Sequence, residues 1–133
     1  MAVMSVSVGA RLMWDSGVTG YDFGPGHPMD PVRLRLTMRL VEAFGLDKRI
    51  VVAGAKPADE AVLELVHEAD YVQAVRRASL DPQGADVLRG LGTPDTPAFA
   101  GMHEVSALIA GLSVGGAEFI WSESGEGGEG GAH

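Results

Sequence analysis

The feature that most constrains this chain is the run from Gly101 to Trp121, which is too long and too poor in β-branched residues to be a strand. It predicts the longest helix of the protein. Gly111, Gly115, Gly116 and several alanines leave part of that helix almost bare of side chain. Another backbone can therefore approach closely, at some cost in helix propensity. Its most apolar part, Val105 to Trp121, is interrupted by Glu118. No stretch reaches the roughly 18 uninterrupted apolar residues of a typical membrane span. The composition predicts a helix buried in protein and no membrane partner.

The segments before it alternate between strand and helix signals. Ala10 to Trp14, bounded by Gly9 and Asp15, is a short apolar run that predicts a buried strand. A Gly- and Pro-rich loop follows from Gly17 to Met29. Asp30-Pro31 then opens a helix, because Asp caps well and Pro in the first turn forfeits no hydrogen bond. The helix is expected to reach Phe44 and to end on Gly45 in the left-handed conformation. Ile50 to Ala53 is a second strand candidate, which makes a strand-helix-strand unit with parallel pairing. Pro57 to Val66 and Glu68 to Ala78 predict two short helices broken near His67. Asp81 to Pro97 is punctuated by Pro82, Gly84, Gly90, Gly92 and Pro94, and predicts a loop.

Composition narrows the class. At 133 residues and 46% hydrophobic, the chain is expected to be one globular domain rather than a disordered one. It has no cysteine, which excludes disulfides and thiolate metal sites. The N-terminal residues lack the basic region of a secretory signal, and a cytoplasmic location is the expectation. The formal net charge is -8, without the clustered Lys and Arg of a nucleic-acid surface. Beyond Trp121 the chain reads Ser-Glu-Ser-Gly-Glu-Gly-Gly-Glu-Gly-Gly-Ala-His, with no large apolar side chain. Such a segment cannot offset its ordering entropy by burial. The expected organisation is a domain over 1–121 and a disordered Gly/Glu-rich tail over 122–133.

Few residues carry chemistry by pattern. In the helix after Asp30, about 100° per residue puts Leu36, Thr37, Leu40 and Phe44 on one face with Arg33 in its middle. Arg35, Arg39 and Glu42 fall opposite. A guanidinium directed at a core is costly unless partners satisfy it. Arg33 either snorkels past the helix end or serves an internal polar channel that handles a carboxylate or carbonyl. His27, His67, His103 and His133 lie too far apart in sequence to form a local ligand motif. His27, within Gly-Pro-Gly-His-Pro, is expected to bond loop backbone. Gly24-Pro25-Gly26 lacks the spacing and the Lys of a phosphate loop, and no Gly-x-Ser-x-Gly elbow occurs. Asp95, between Pro94 and Pro97, is a turn-former by type. It could also present a carboxylate to the N–H groups of a peptide-like substrate.

Three ordered segments resemble a known family. Tyr21-Asp22-Phe23-Gly24-Pro25-Gly26-His27-Pro28-Met29-Asp30-Pro31-Val32-Arg33-Leu34 is similar to the N-terminal signature of the acetoin-utilization and histone deacetylase family. So are Val66-His67-Glu68-Ala69-Asp70-Tyr71-Val72 and Asp95-Thr96-Pro97-Ala98-Phe99-Ala100-Gly101-Met102. The resemblance covers about Arg11 to Trp121 and is closest in wording to the bacterial acetoin-utilization branch. It implies the N-terminal part of a three-layer α/β fold: a partial parallel sheet with flanking helices, helix-rich as it stands. It also implies amide hydrolysis, in which Zn(II) polarises the acetamide carbonyl and water while paired histidines move protons. The substrate class would be an acetylated lysine of a protein or a small acetyl-amine, and the products the free amine plus acetate. By position, Asp95 matches the rim aspartate that holds the substrate backbone. Arg33 matches the arginine of an internal channel, and Met29 and Phe23 match that channel's apolar wall. Asp30 stands where relatives in eukaryotic complexes carry a lysine for an inositol phosphate, so that regulator is not expected.

The resemblance stops short of the reaction centre. The family's zinc ligands and transition-state tyrosine match nothing here, so no catalytic and no metal residue is assigned. Gly130-Gly131-Ala132-His133 imitates half of the paired-histidine segment without the apolar strand that precedes it. The expectation is therefore a truncated family member, inactive by itself. The alternatives are a non-catalytic module that binds acetyl-lysine or a protein, and a helical interaction domain of incidental likeness.

Overall fold

The computed structural model describes residues 9–125. Strand β1 (Arg11–Met13) pairs in parallel with β2 (Val51–Ala53), in the register Arg11 to Val51, Leu12 to Val52 and Met13 to Ala53. Backbone bonds from Trp14 N to Ala53 O (2.8 Å) and from Val51 N to Ala10 O (3.2 Å) continue the ladder at each end. The strand-helix-strand unit expected from the sequence is present. The helix between the strands is α1 (Val32–Ala43). It opens with the Asp30 carboxylate accepting the Val32 N–H at 2.7 Å and ends at Phe44, with Gly45 at φ 65°. Only glycine takes that conformation without strain.

Two further helices follow, α2 (Glu60–Leu63) and α3 (Ala69–Leu80). The interval before the last helix contains 3-10 turns at Pro82–Gly84 and Val87–Arg89 and is otherwise irregular. Helix α4 (Met102–Gly125) is the longest. It continues four residues past the expected end at Trp121. There the Ser122 hydroxyl donates to the Phe119 carbonyl at 2.9 Å, the local bond by which Ser sits inside a helix. The remainder of the Gly/Glu-rich segment, His133 included, lies outside the described residues. The whole is a helix-rich, partial α/β fold.

The small-residue surface of α4 does what its sequence suggested. A Cβ built on Gly111 would overlap the Lys56 carbonyl oxygen, so the chain leaving β2 crosses the helix almost in contact with its backbone. Ala58 N donates to the Ala107 carbonyl at 2.8 Å at the same crossing. Met13 of β1 lies against Gly115 and Gly116, and the Arg11 guanidinium stacks 3.9 Å over the Phe119 ring. By length and hydropathy Met102–Glu123 could also cross a membrane, although its apolar residues are not an uninterrupted run. Here the helix packs on α3, on β1 and on the Ser16–Gly20 turn.

The best-packed core lies between α3 and α4, where Ala74, Ala78, Leu91 and Met102 are buried beneath Tyr71, Val75 and Phe99. The sheet side is much more open. The expectation that Leu36, Leu40 and Phe44 of α1 face a core is overturned: they are 52%, 58% and 75% exposed. Instead α1 turns Leu34, Met38 and Val41 inward, each half-buried, and buries no residue fully. The physical reason is that α1 packs mainly on the Ser16–Gly20 and Leu46–Lys48 turns, which cover only one side of an amphipathic helix.

Candidate functional site

The Gly- and Pro-rich loop before α1 folds around its own polar side chains. Asp15 Oδ1 accepts from Gly17 N at 2.7 Å and Asp22 Oδ1 from Gly24 N at 2.8 Å. His27 Nδ1 accepts the Met29 N–H at 3.1 Å, the loop-bonding role expected of it. These short bonds fix the approach to α1 and set Met29 one helical turn before Arg33. Arg33 Nη2 lies 3.8 Å from the Met29 sulfur.

Met29 and Arg33 both line a cavity of about 750 Å³, whose other walls include Met13 and Trp14 of the strand end, Tyr21, and Ser113 of α4. The residue is exposed as a whole, and its guanidinium has no carboxylate partner among the described residues. Arg33 is therefore neither buried in a core nor spent on an ion pair; it stands at the wall of an apolar hollow with donors to spare.

Phe23 takes a different position. It belongs to an edge-to-face aromatic group with Tyr21 (5.1 Å), His27 (4.6 Å) and Phe99 (5.7 Å) and does not line the cavity that Met29 and Arg33 share. Such contacts are worth about 0.5–1.5 kcal/mol beyond area burial. They tie the first loop to the segment that carries Asp95. Asp95 itself is exposed on a tight turn, braced where Thr96 N donates to Thr93 Oγ1 (3.1 Å) and Gly92 N to the Thr96 carbonyl (2.9 Å). It lines neither the large cavity nor a smaller one of about 230 Å³ between α3 and α4, which its neighbour Thr96 does line.

Sequence reasoning missed Tyr21. It lines both cavities and touches Phe99 at 5.5 Å. Burial, with a smaller contribution from nearby Tyr71, raises its phenol above the ordinary value, so near neutral pH it is a hydrogen-bond donor at the junction. Its position at the head of the Tyr-Asp-Phe-Gly-Pro-Gly-His segment was the available signal.

Residues 27–130 match the family profile described as the histone deacetylase domain. The chain is 36% identical over 104 residues to the acetoin utilization protein AcuC of Bacillus subtilis, covering 77% of this chain and 27% of that one. It is 36% identical over 106 residues to histone deacetylase B of Dictyostelium discoideum, covering 78% and 25%. Against histone deacetylase RPD3 of Saccharomyces cerevisiae the identity is 32% over 108 residues, with 78% and 25% covered. A partial α/β fold with an arginine on the wall of an apolar cavity is thus matched by a family of deacetylases and acetoin utilization proteins. This chain belongs to the histone deacetylase family and corresponds to the N-terminal portion of its domain. It spans about a quarter of the length of these relatives.

The family implies zinc, and the donor set here does not fit it. Among the described residues no three His, Cys, Asp or Glu side chains converge on a point that could hold a metal ion. His67 and His103 both line the smaller cavity, but His103 Nε2 faces Arg76 Nη2 at 3.5 Å, where a cation would meet a like charge.

Proposed function

We propose that this chain forms the substrate rim and the inner channel wall of a deacetylase-type amide hydrolase, and does not itself hydrolyse amides. The residues through 121 constitute that part of the domain. The observation that carries this reading is Arg33, unpaired by any carboxylate among the described residues and set against Met29 on the wall of an apolar hollow of about 750 Å³, at the position where the family resemblance assigns a channel arginine. Five fixed N–H donors suit a small carboxylate such as acetate, the acid product of acetamide cleavage. Met29 supplies a soft apolar wall, and Phe23 acts from the aromatic group by holding the loop rather than by lining the hollow. Asp95 presents an acceptor for substrate N–H groups from a braced turn. The substrate class is an acetylated amine, with acetyl-lysine the simplest member. The soluble, cytoplasmic setting is part of this reading.

The test is a covalent chimera in which residues 9–121 replace the matching portion of the Dictyostelium histone deacetylase B. Charged hydrogen bonds are worth about 1.5–3 kcal/mol, so Arg33→Ala should lower kcat/KM on an acetyl-lysine peptide roughly 10- to 100-fold. Asp95→Ala should act mainly through KM on peptides and much less on a minimal acetyl-amine. Unchanged kinetics in both variants would contradict the assignment.

A further inference from the structure

The smaller cavity, of about 230 Å³ between α3 and α4, has no part in the function proposed above. Val72, Leu91 and Met102 in its wall are buried, whereas His67 is exposed. The hollow therefore runs inward from His67 to an apolar end. The His67 ring lies 5.4 Å from that of Tyr71. Tyr21, Tyr71, Thr96 and Ser106 also line the cavity, and none of their hydroxyls has a hydrogen-bond partner among the described residues. No Asp, Glu, Lys or Arg among the described residues lines it. Just behind the wall, Arg76 Nη2 lies 3.5 Å from His103 Nε2, and the same guanidinium is paired with Glu60 at 2.5 Å.

We propose that this cavity is a binding site for a small uncharged molecule with a single ring and one carbonyl or hydroxyl oxygen. Volume sets the size. An apolar cavity of about 150 Å³ holds benzene, so the larger space here accommodates one ring and a short substituent. Electrostatics select neutrality, because an ionised group taken into an apolar end without a partner is costly. A cation would approach Arg76, and an anion would find that guanidinium already engaged by Glu60. The free hydroxyls select an oxygen: a ligand that accepts from one of them makes a hydrogen bond that a plain hydrocarbon ring forgoes. Tyr71 and Thr96 serve this cavity alone, whereas Tyr21 and Ser106 line the larger one as well. Thr96 directly follows Asp95. The occupant therefore sits against the Asp95 turn and against Tyr21, while Arg33 and Met29 stay outside its walls.

The test titrates cyclohexanone into the full 133-residue chain, labelled at its methionine methyl groups and followed by NMR. Met102 lines the smaller cavity and Met13 and Met29 the larger one, so their methyl signals report on the two hollows separately. The expected result is a saturable shift of the Met102 signal at millimolar ligand or below, with the Met13 and Met29 signals unmoved. Cyclohexylamine and cyclohexanecarboxylate, the same ring bearing a cation or an anion, should bind about tenfold more weakly or worse. The double variant Tyr71→Phe, Thr96→Val removes two hydroxyls and keeps the shape of the wall. It should weaken cyclohexanone binding about 3- to 10-fold, the loss of one neutral hydrogen bond. A Met102 signal that does not shift saturably, or equal shifts at Met13 and Met29, overturns the proposal. So does a charged analogue that binds as tightly as the ketone, or unchanged affinity in the double variant.

Discussion

At the scale of single residues the polar side chains divide into those that hold the fold and those left free. Ser79 belongs to the first group. Its hydroxyl, buried between α3 and α4, donates to Glu104 Oε2 at 2.6 Å and accepts the His103 N–H at 3.2 Å, so one side chain of α3 caps the first turn of α4. The Ser79 bond, followed by Glu104's own backbone N–H, holds the Glu104 carboxyl below its usual value. A carboxylate with a depressed folded pKa binds fewer protons when folded than when unfolded. Its stabilisation is full above the unfolded value of about 4.5 and is lost as pH falls through the lower, folded one. Glu104 is exposed, so the effect is small. Glu104→Gln should flatten the acid limb of an unfolding profile by lowering stability slightly near pH 7 and leaving it unchanged below the folded pKa. A steeper acid limb in the variant would refute this. Arg33 belongs to the second group, and its freedom is what the functional reading uses.

At the scale of elements, the contact between α4 and the chain leaving β2 governs how the helix seats on the sheet. Gly111 permits that contact, and the Ala58 to Ala107 bond fastens it. Gly111→Ala improves helix propensity by about 1 kcal/mol but forces backbone against backbone, with no flexible side chain able to yield. We expect the overlap to prevail, with a net loss of about 1–3 kcal/mol, read as a lower urea midpoint in the chimera. A rise in midpoint would mean that the crossing is loose. The same scale shows what sequence could and could not supply. The start of α1 at Asp30-Pro31, its end at Gly45 and the parallel pairing of the two strands were legible, because caps, a positive φ and short apolar runs are local signals. The inward face of α1 was not. Its pattern carries two apolar sides, Leu34-Met38-Val41 and Leu36-Leu40-Phe44, and which one is covered depends on elements elsewhere. Arg33 and Met29 lie close because one helical turn separates them. The placement of Phe23 away from the cavity, and of Tyr21 in it, follows from packing against Phe99 from a distant segment.

At the scale of the whole molecule, the α3–α4 core is closed while the α1 and sheet side is open. Leu36, Leu40 and Phe44 face outward on one side, and Ile120 and Trp121 lie uncovered near the end of α4. This chain matches about a quarter of the length of each of these relatives. The isolated chain should bind an apolar dye such as ANS and unfold over a broad range without a cooperative transition. Its α3–α4 region should retain the slowest amide exchange. A sharp thermal transition in a monomer that binds no dye would show that the described fold is self-sufficient.

The most direct measurement of the central claim is acetate release from an acetyl-lysine peptide by the purified 133-residue chain supplied with zinc. The account predicts no release above the uncatalysed background, because no set of metal-binding side chains converges among the described residues. Release that proceeds with turnover and is abolished by a chelator would contradict it.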